Sequence, residues 1–324
     1  MKRVLITGGT GFVGANLARR LLGDGHAVHL LVGAGHRTWR LAGVLAEVVR
    51  HEADLRDAGA VRRAVAAVRP DWVFHLAAHG AYSWQTDARA IVATNVLGTV
   101  HLVEACRRTG FEVFVNTGSS SEYGWKDHAP AEDEGLEPNS AYAVAKASAT
   151  LFCRQAARAA RLSIPTLRLY SVYGPYEEPN RFLPALVVHG LEGTYPPLAA
   201  PDVARDYVHV EDVVDAYLRL AGNPPADPGA VYNLGTGVQT TLRQAVEAAA
   251  GLFRYRGEPA WGSMPNRGWD TTVWVADARK ARRELGWEPR FTLADGLRAF
   301  RAWFETHPEL LAHYRAALQR PRAA

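Results

Sequence analysis

The stretch Val4-Leu5-Ile6-Thr7-Gly8-Gly9-Thr10-Gly11-Phe12-Val13-Gly14 decides the fold of this chain. Its apolar start predicts a short buried strand, the leucines that follow it predict a helix, and glycines spaced G-x-x-G-x-x-G fill the turn between them. The turn at Gly8 needs backbone angles that a side chain forbids, the main chain at Gly11 must approach phosphates, and the helix at Gly14 must lie close to the strand. A pyrophosphate can then bind the unpaired N–H groups at the helix N-terminus. The stretch therefore predicts a dinucleotide site contacted by Gly8, Gly11, Phe12, Val13 and Gly14.

The composition suits a large globular core with no nucleic-acid surface. The chain has 324 residues and 48% hydrophobic content, and its net charge of +4 comes from 37 basic and 33 acidic residues mixed along the sequence. We expect no nucleic-acid partner and no membrane span, because neither a basic run nor a long apolar run occurs. The two cysteines, Cys106 and Cys153, are 47 positions apart and have no C-x-x-C or histidine-rich sequence beside them, and the 12 histidines are scattered. We therefore expect neither a disulfide nor a metal site. The first strand begins so early that we expect no signal peptide and a cytoplasmic protein.

Strand and helix patterns alternate six times in the first half of the chain. The predicted strands are residues 4–6, 27–32, 47–53, 71–76, 113–117 and 164–170. This alternation predicts an α/β fold, a Rossmann-like doubly wound parallel sheet with helices on both faces. Prolines become frequent after residue 170. We therefore expect residues 1–170, with 203–222 returning to the sheet, to form a dinucleotide-binding domain, and 171–202 with 223–324 to form a smaller C-terminal substrate-binding lobe.

The end of the second strand bears on the choice between NAD and NADP. NAD sites usually place an acidic residue about 20 positions past the glycines, where it accepts the ribose 2′-hydroxyl. Residues 33–40 hold no acid and two arginines, Arg37 and Arg40. A guanidinium suits a 2′-phosphate, so the NAD(P) site is predicted to favour NADP through Arg37 or Arg40.

The next two predicted strands also end in candidate cofactor contacts. Asp54 and Leu55 follow the third strand, where a carboxylate could meet the adenine amine. Leu76, Ala77 and Ala78 follow the fourth strand, and the small alanines would let the cofactor ribose lie against the backbone.

Tyr142 and Lys146 lie one helical turn apart on the same face of a predicted helix. A tyrosine with a pKa near 10 is a poor base at neutral pH, and an adjacent cation together with an oxidised nicotinamide would stabilise its phenolate. The phenolate could then take a proton from a substrate hydroxyl while a hydride leaves the same carbon. A hydroxyl from Ser119, Ser120 or Ser121, at the end of the fifth strand, could share the developing alkoxide.

Further motifs follow along nearly the whole chain. They are Asp54-Leu55, His75-Leu76-Ala77-Ala78, Asn95-Val96-Leu97-Gly98-Thr99, Val172-Tyr173-Gly174-Pro175, Arg205-Asp206-Tyr207-Val208-His209-Val210-Glu211-Asp212-Val213, Asn233-Leu234-Gly235-Thr236-Gly237 and Leu285-Gly286-Trp287-Glu288-Pro289. With the glycine turn and the Tyr142–Lys146 pair, the chain resembles the extended short-chain dehydrogenase/reductases that modify nucleotide sugars.

The resemblance implies a catalytic set of Ser119, Tyr142 and Lys146 and a nucleoside diphosphate sugar held by the C-terminal lobe. The expected substrate contacts are Ser83, Ser171, Asn180, Arg181, Arg205 and Arg267, and Asn95 and Tyr170 are further cofactor contacts. Ser171 stands where many members of the family have asparagine. The helices over residues 95–108 and 141–161 correspond to those of the family's four-helix dimer interface, which implies a homodimer.

The resemblance leaves the net reaction open. Family members oxidise a sugar carbon, usually C4, to a 4-keto intermediate and then diverge, and dehydratases carry an acid two residues before the Tyr-Gly that follows the catalytic hydroxyl. An ungapped alignment on Tyr123-Gly124 puts Ser119 at the catalytic position and Ser121 at the acid position, which speaks against dehydration. A one-residue gap would put Ser120 and Glu122 there and would favour dehydration again.

We therefore predict a nucleotide-sugar epimerase that acts at C4. A 4-keto-6-deoxy-sugar reductase is one alternative, because Gly-Ser-Ser-x-Glu-Tyr-Gly resembles the version in some of those enzymes, and a 4,6-dehydratase is another. A non-catalytic dinucleotide sensor is the alternative from a different class, although such a protein would be expected to lose Tyr142 and Lys146.

Overall fold

Strands and helices alternate through the first half of the chain, as the apolar periodicity predicts. The computed structural model describes residues 1–266, 268 and 270–319. The elements of this half are β1 (Arg3–Thr7), α1 (Phe12–Gly23), β2 (Ala27–Val32), β3 (Val49–Glu52), α2 (Ala58–Val68), β4 (Trp72–His75), α3 (Ala88–Val92), α4 (Gly98–Thr109), β5 (Val113–Ser119), α5 (Ala141–Ala160) and β6 (Thr166–Leu169). A π-helical turn, Ala93–Leu97, joins α3 to α4, so the helix expected over residues 95–108 begins inside this turn.

The second half contains shorter strands and most of the C-terminal helices. Its elements are β7 (Ser171–Tyr173), α6 (Phe182–Glu192), β8 (Ala204–Arg205), β9 (Tyr207–His209), α7 (Val210–Gly222), β10 (Val231–Leu234), β11 (Thr240–Thr241), α8 (Leu242–Ala250), α9 (Arg279–Leu285), α10 (Leu293–Thr306) and α11 (Pro308–Gln319). Strand β7 pairs with β9, and β8 pairs with β11, in two small two-stranded sheets.

Seven strands form the central sheet in the order β10-β6-β5-β4-β1-β2-β3. All of its neighbouring pairs run parallel, and Val4 of β1 lies between Val28 of β2 and Trp72 of β4. The carboxyl ends of all seven strands therefore lie at one edge. The strand order reverses direction at β1, and ligands of doubly wound sheets bind at such a point.

The strand that returns to the sheet differs from the predicted one. Residues 203–222 were expected to rejoin it, but β8 and β9 pair outside it and α7 packs on its face against β5 and α1. The seventh strand is β10, which pairs with β6 and which the sequence prediction placed in the C-terminal lobe. The short run Val-Tyr-Asn-Leu does not reveal on its own which sheet it joins.

Alternate residues of the strands supply two separate hydrophobic cores. In β1, Val4 and Ile6 pack with α1 and α7 on one face, whereas Leu5 packs with α2, α4 and α5 on the other. Cys106 and Cys153 are free thiols buried in the second core. Strands covered on both faces explain the continuous apolar runs of the sequence.

A third core holds the C-terminal lobe together. Aromatic residues of α10 and α11, among them Phe300, Phe304 and Tyr314, pack against α6 and α8. Among the described residues, no helix combines the length and the apolar character needed to cross a membrane.

Candidate active site

A cleft of about 1400 Å³ opens at the carboxyl edge of the sheet and extends to the C-terminal lobe. The ends of β1, β4 and β5 line its sheet side, and α6, β8 and the segment before α9 line its lobe side. Pockets for one small molecule measure roughly 300–1,000 Å³, so this cleft is large enough for two ligands end to end.

The glycine turn forms one end of the cleft, and its backbone is as predicted. Gly8 has φ of +71°, and a Cβ there would lie 2.6 Å from the backbone nitrogen of Ala77. A Cβ at Gly14 would lie 2.3 Å from the carbonyl oxygen of Gly8, so only glycine lets α1 pack this close to the turn. Gly11 is the N-cap of α1 and has no side chain with which to cap the first-turn N–H groups, which leaves these donors for an anion. Lining residues of this end are Gly8, Gly11, Phe12, Val13 and Gly14.

The predicted contacts at the ends of β3 and β4 also line the cleft. These residues are Asp54, Leu55, Leu76, Ala77 and Ala78. The Asp54 carboxylate accepts hydrogen bonds from Nε and Nη2 of Arg56 at 3.0 and 2.6 Å, and these bonds lower the pKa of Asp54. Asp54 therefore meets a ligand as an ionised group that already has a partner.

The two arginines of the NADP prediction have different surroundings. Arg37 is exposed and lies outside the lining of the cleft. Arg40 is buried, and its guanidinium donates from Nε to the carbonyl oxygen of Tyr176 at 2.7 Å and from Nη2 to the carboxylate of Glu178 at 2.8 Å. The expectation that Arg40 could bind a 2′-phosphate is therefore wrong, because its donors hold two segments of the chain together.

A buried polar network supports the loop after β4. The His75 ring bridges the hydroxyls of Thr7 and Thr99 at 2.7 and 2.9 Å, and burial lowers the pKa of His75 to about 3, with the charge of Lys146 acting in the same direction. The Asn95 side chain donates from Nδ2 to the carbonyl oxygen of His79, and its Oδ1 accepts a hydrogen bond from the backbone N–H of His79, both at 2.8 Å. Asn95 was expected to contact the cofactor, but its side chain is buried and holds the loop that does line the cleft.

Tyr142 and Lys146 lie in the first two turns of α5, which begins at the cap Ser140. Both residues line the cleft, and Lys146 donates from Nζ to the carbonyl oxygen of Thr117. Burial raises the pKa of Tyr142 to about 12, and a hydrogen bond with Ser119 opposes that rise. Burial also lowers the pKa of Lys146. The lowering that the sequence predicts for the pKa of Tyr142 needs an oxidised nicotinamide beside the phenol as well as Lys146, which here donates to Thr117.

Glu122 has a structural role and does not line the cleft. Its carboxylate accepts from the N–H of Ser119, from Oγ1 of Thr150 and from Nε of Arg168 at 2.9, 2.9 and 2.8 Å. Glu122 is 0% and Arg168 1% exposed, so the two form a fully buried ion pair. The gapped alignment would make Glu122 a catalytic acid, but its carboxylate lies outside the lining of the cleft, and Ser119, Ser120 and Ser121 are the residues of this turn that face the cleft.

Five of the six predicted substrate contacts line the cleft: Ser83, Ser171, Asn180, Arg181 and Arg205. Tyr170, a predicted cofactor contact, also lines it. Arg205 donates from Nη2 to Asp270 at 2.5 Å, and its guanidinium lies 5.8 Å from the ring centre of Trp274. The Tyr170 hydroxyl is buried and has no hydrogen-bond partner among the described residues. Arg267, the other predicted arginine, lies outside the described residues.

Comparisons with known proteins place the chain in a family. A model described as the NAD dependent epimerase/dehydratase family matches residues 4–235. The chain belongs to that family. The UDP-glucose 4-epimerase of Mycolicibacterium smegmatis is 34% identical over 308 residues, which cover 91% of this chain and 96% of the relative. The dTDP-glucose 4,6-dehydratase of Streptomyces griseus is 33% identical over 328 residues, which cover 94% of each chain. The crystal structure of the UDP-glucose 4-epimerase of Thermotoga maritima with UDP-glucose matches with a TM-score of 0.85 and 28% identity, covering 94% of this chain and 99% of the other.

Tyr82 and Glu177 are among the cleft residues that the sequence analysis of this epimerase/dehydratase family member missed. Tyr82 lines the cleft in the loop after β4, and Glu177 lines it as a buried carboxyl group between β7 and α6. Glu177 follows directly on the Val172–Pro175 motif and a tyrosine, which is the one sequence signal that could have suggested it. Among the described residues, no group of three or more histidine, cysteine or acidic side chains is arranged to hold a metal ion.

Proposed function

We propose that this chain is a nucleotide-sugar 4-epimerase that works with NAD(P) through a 4-keto sugar. The observation that carries the proposal is that Ser119, Tyr142 and Lys146 line the same continuous cleft as the glycine turn. The named relatives act on UDP-glucose and dTDP-glucose, which supports a nucleoside diphosphate hexose as the substrate.

The residues of the cleft fit a dinucleotide on three observations. The glycine turn leaves a space that side chains would fill, the uncapped start of α1 offers N–H donors, and the buried Tyr170 hydroxyl lacks a partner among the described residues. Gly8, Gly11 and Gly14 would hold the pyrophosphate, and Tyr170 would contact the nicotinamide half. The bound nicotinamide supplies a hydride acceptor that can return the hydride to the same carbon.

Proton transfer falls to the phenol of Tyr142. Removing its proton near pH 7 from a pKa of about 12 requires about 7 kcal/mol of extra stabilisation of the phenolate. Positive charge close to the phenol is the means: Arg181 acts against the burial that raises the pKa of Tyr142, Lys146 lies one turn away on the same helix face, and an oxidised nicotinamide would add a further positive charge. The Oη of Tyr142 would accept the proton of the sugar 4-hydroxyl, and the Ser119 hydroxyl would hydrogen-bond the same oxygen.

The environment of Glu122 favours epimerisation over dehydration. Dehydration needs a further acid beside the sugar, and the cleft presents Ser121 where the family's dehydratases have that acid. Glu122, the other candidate, is fully buried against Arg168. Reduction of a 4-keto-6-deoxy sugar needs no such acid and stays the second candidate.

Purified protein should convert UDP-glucose to UDP-galactose without net consumption of cofactor, measured by chromatography of the sugar nucleotides. Tyr142→Phe should lower kcat by about 100-fold or more, since it removes the proton acceptor. Tyr195→Phe is the matched control, because that ring stacks on Tyr255 outside the cleft.

Other outcomes would contradict the proposal in distinct ways. Formation of a 4-keto-6-deoxy product would identify a dehydratase, and stoichiometric NADPH oxidation with a 4-keto sugar would identify a reductase. Equal activity of the Tyr142→Phe variant and the parent would exclude the catalytic role of the phenol.

The preference for NADP over NAD rests on Arg37 and on the lack of an acid among residues 33–40. Arg37→Ala should lower the affinity for NADP several-fold and leave the affinity for NAD unchanged, as measured by tryptophan fluorescence titration. Equal effects on both cofactors would contradict this preference.

We also propose that residues 1–170 with α7 and β10 form the cofactor-binding domain, that the remaining C-terminal residues form the substrate-binding lobe, and that the protein is a homodimer. An exposed apolar stripe supports the dimer: Val92, Leu97, Val144 and Leu151 are 43–53% exposed on α3, the π turn and α5. A second copy packed on this stripe would bring two helices of each chain together in a four-helix bundle. Leu151→Lys should yield monomers in light scattering, whereas Val238→Lys, at an exposed site away from these helices, should not.

A further inference from the structure

One buried carboxyl group of the cleft has no role in the mechanism above. Glu177 is 6% exposed and lines the cleft between β7 and α6. Its Oε2 has no hydrogen-bond partner among the described residues, and its Oε1 lies 3.8 Å from Nε of Arg181. Because buried polar atoms are rarely left unpaired, an unpaired carboxyl oxygen at a ligand cleft indicates a contact that the ligand completes.

The backbone at this point is held in an unfavourable conformation that fixes the position of Glu177. Tyr176 has φ of +69°, a region that bulky residues rarely adopt. Arg40 donates to the carbonyl oxygen of Tyr176 at 2.7 Å, and Tyr314 donates from Oη to the carbonyl oxygen of Glu177 at 2.5 Å. The Trp303 ring packs 4.9 Å from that of Tyr176. Such strained residues persist where the surrounding structure over-determines them, and they concentrate at functional sites.

The charges around Glu177 decide its protonation. The ionisable groups that face it from the neighbouring elements are Arg40, Tyr82, Tyr173, Glu178, Arg181, Tyr207 and Tyr314. Burial raises the pKa of Glu177 to about 8, although Arg181 and Arg40 act against that rise. At neutral pH the carboxyl group is therefore mostly protonated, and it can donate one hydrogen bond and accept others.

Arg181 and Tyr82 place Glu177 near the reacting end of the cleft. The charge of Arg181 acts on Glu177, on Tyr82 and on the phenol of Tyr142. A Cβ at Gly80, in the same loop as Tyr82, would lie 3.4 Å from the Tyr142 ring. Under the proposed function, the sugar occupies this space.

We propose that Glu177 binds the sugar of the substrate by donating a hydrogen bond from its protonated carboxyl group to the oxygen of a ring hydroxyl. This inference rests on the proposed function for the class of ligand, a nucleoside diphosphate hexose. It adds a contact to the sugar itself: a carboxyl group that is protonated at neutral pH can donate a hydrogen bond to a hydroxyl oxygen, which a carboxylate cannot do.

Binding of sugar nucleotides, measured by calorimetry on cofactor-loaded protein, tests the inference without relying on turnover. The probes are UDP-glucose, compared with UDP, and dTDP-glucose, compared with dTDP. The ratio of the two affinities in each pair measures the contribution of the sugar to binding. Below pH 8, the ratio for Glu177→Ala should be about tenfold lower than the ratio for the parent. The ratio for the isosteric Glu177→Gln, which still donates and accepts hydrogen bonds, should be within about twofold of the parent's. The ratio for the parent should fall as the pH rises through about 8, and the ratio for Glu177→Gln should not change.

Glu132→Gln is the matched control. Burial also raises the pKa of Glu132, whose carboxylate accepts from the N–H of Asn233 outside the cleft. This variant should keep the parent's ratio and its pH dependence. An unchanged ratio in Glu177→Ala, a parent ratio that is constant through pH 8, or a parent that binds UDP-glucose no better than UDP would overturn the inference. A parent that binds the sugar as described but does not convert it would contradict the proposed function alone.

Discussion

Replacing Glu122 by glutamine should destabilise the protein severely. The amide keeps the shape of the carboxylate but has one acceptor oxygen, whereas Glu122 accepts on both oxygens, from Ser119 and Thr150 on Oε1 and from Arg168 on Oε2. In either orientation the NH₂ group faces a donor. The variant also leaves the guanidinium of Arg168, 1% exposed, with neutral acceptors alone, among them the hydroxyl of Tyr123 and the carbonyl oxygen of Glu132.

Breaking a buried ion pair from one side costs about 3–5 kcal/mol, a large part of the typical 5–15 kcal/mol stability of a folded domain. Urea denaturation followed by circular dichroism should show a loss of this size for Glu122→Gln. The double variant Glu122→Leu with Arg168→Met should recover much of it, since both charges are then removed together. Glu178→Gln, at the more exposed pair with Arg40, should lose less.

The same experiment separates a structural from a catalytic Glu122. A structural Glu122 holds the backbone of Ser119, so activity and stability should fall together in Glu122→Gln. A variant as stable as the parent that has lost all activity would refute this reasoning and would restore Glu122 as a dehydration acid.

Two further predictions follow from the cleft. Gly14→Ala should raise the Kd for NAD more than tenfold and lower the free energy of unfolding by about 1–3 kcal/mol, because its Cβ would lie 2.3 Å from the Gly8 carbonyl oxygen. The control is Gly23→Ala, in the last turn of α1 with open space beside it, which should be neutral or stabilising. Glu177→Gln should change the free energy of unfolding in a pH-dependent way. The carboxyl pKa is near 4.3 in the unfolded chain and about 8 in the folded protein, so between these values only the unfolded chain ionises. The parent's free energy of unfolding therefore falls by about 1.4 kcal/mol per pH unit, or about 5 kcal/mol in all. The variant should match the parent below pH 4 and exceed it increasingly up to about pH 8 in urea midpoints, and a constant difference would contradict the assigned protonation.

Local signals were sufficient for the elements that position the cofactor site. The glycine turn, with Gly8 at φ of +71° and Gly14 packed on it, follows from the spacing of three residues. Helix α5 was predicted over residues 141–161 and occupies Ala141–Ala160, because Ser140 caps it and its apolar residues keep the helical period. Strand β10 was misplaced because a four-residue run does not specify which strand it pairs with.

The errors in the site concern charged residues whose partners are distant in sequence. Arg40 pairs with Glu178, 138 positions away, and Glu122 pairs with Arg168, 46 positions away. Beside a motif, such residues resemble ligand contacts, since a sequence does not show that a charge is already paired. One local signal was overlooked: Ser119 and Glu122 have the S-x-x-E spacing of a capping box, and the structure forms that box.

The Arg205–Val213 motif shows why the family's shared residues leave the reaction open. Asp206 is buried and accepts from Thr236, Gly237 and Ala276, while Asp212 accepts from the backbone of Arg290 and of the residue after it. These two carboxylates connect the sheet to the C-terminal lobe, and within the motif Arg205 and Tyr207 line the cleft.

Most of the motif therefore fixes the shape of the cleft and leaves the choice of reaction to the side chains between the motifs. Ser121 and Glu177 are two such residues: the ungapped alignment puts the dehydration acid at Ser121, and Glu177 lies beside the proposed sugar site. Ser121 takes no part in the hydrogen bonds of Asp206 and Asp212, so we expect Ser121→Glu to keep the connection between sheet and lobe.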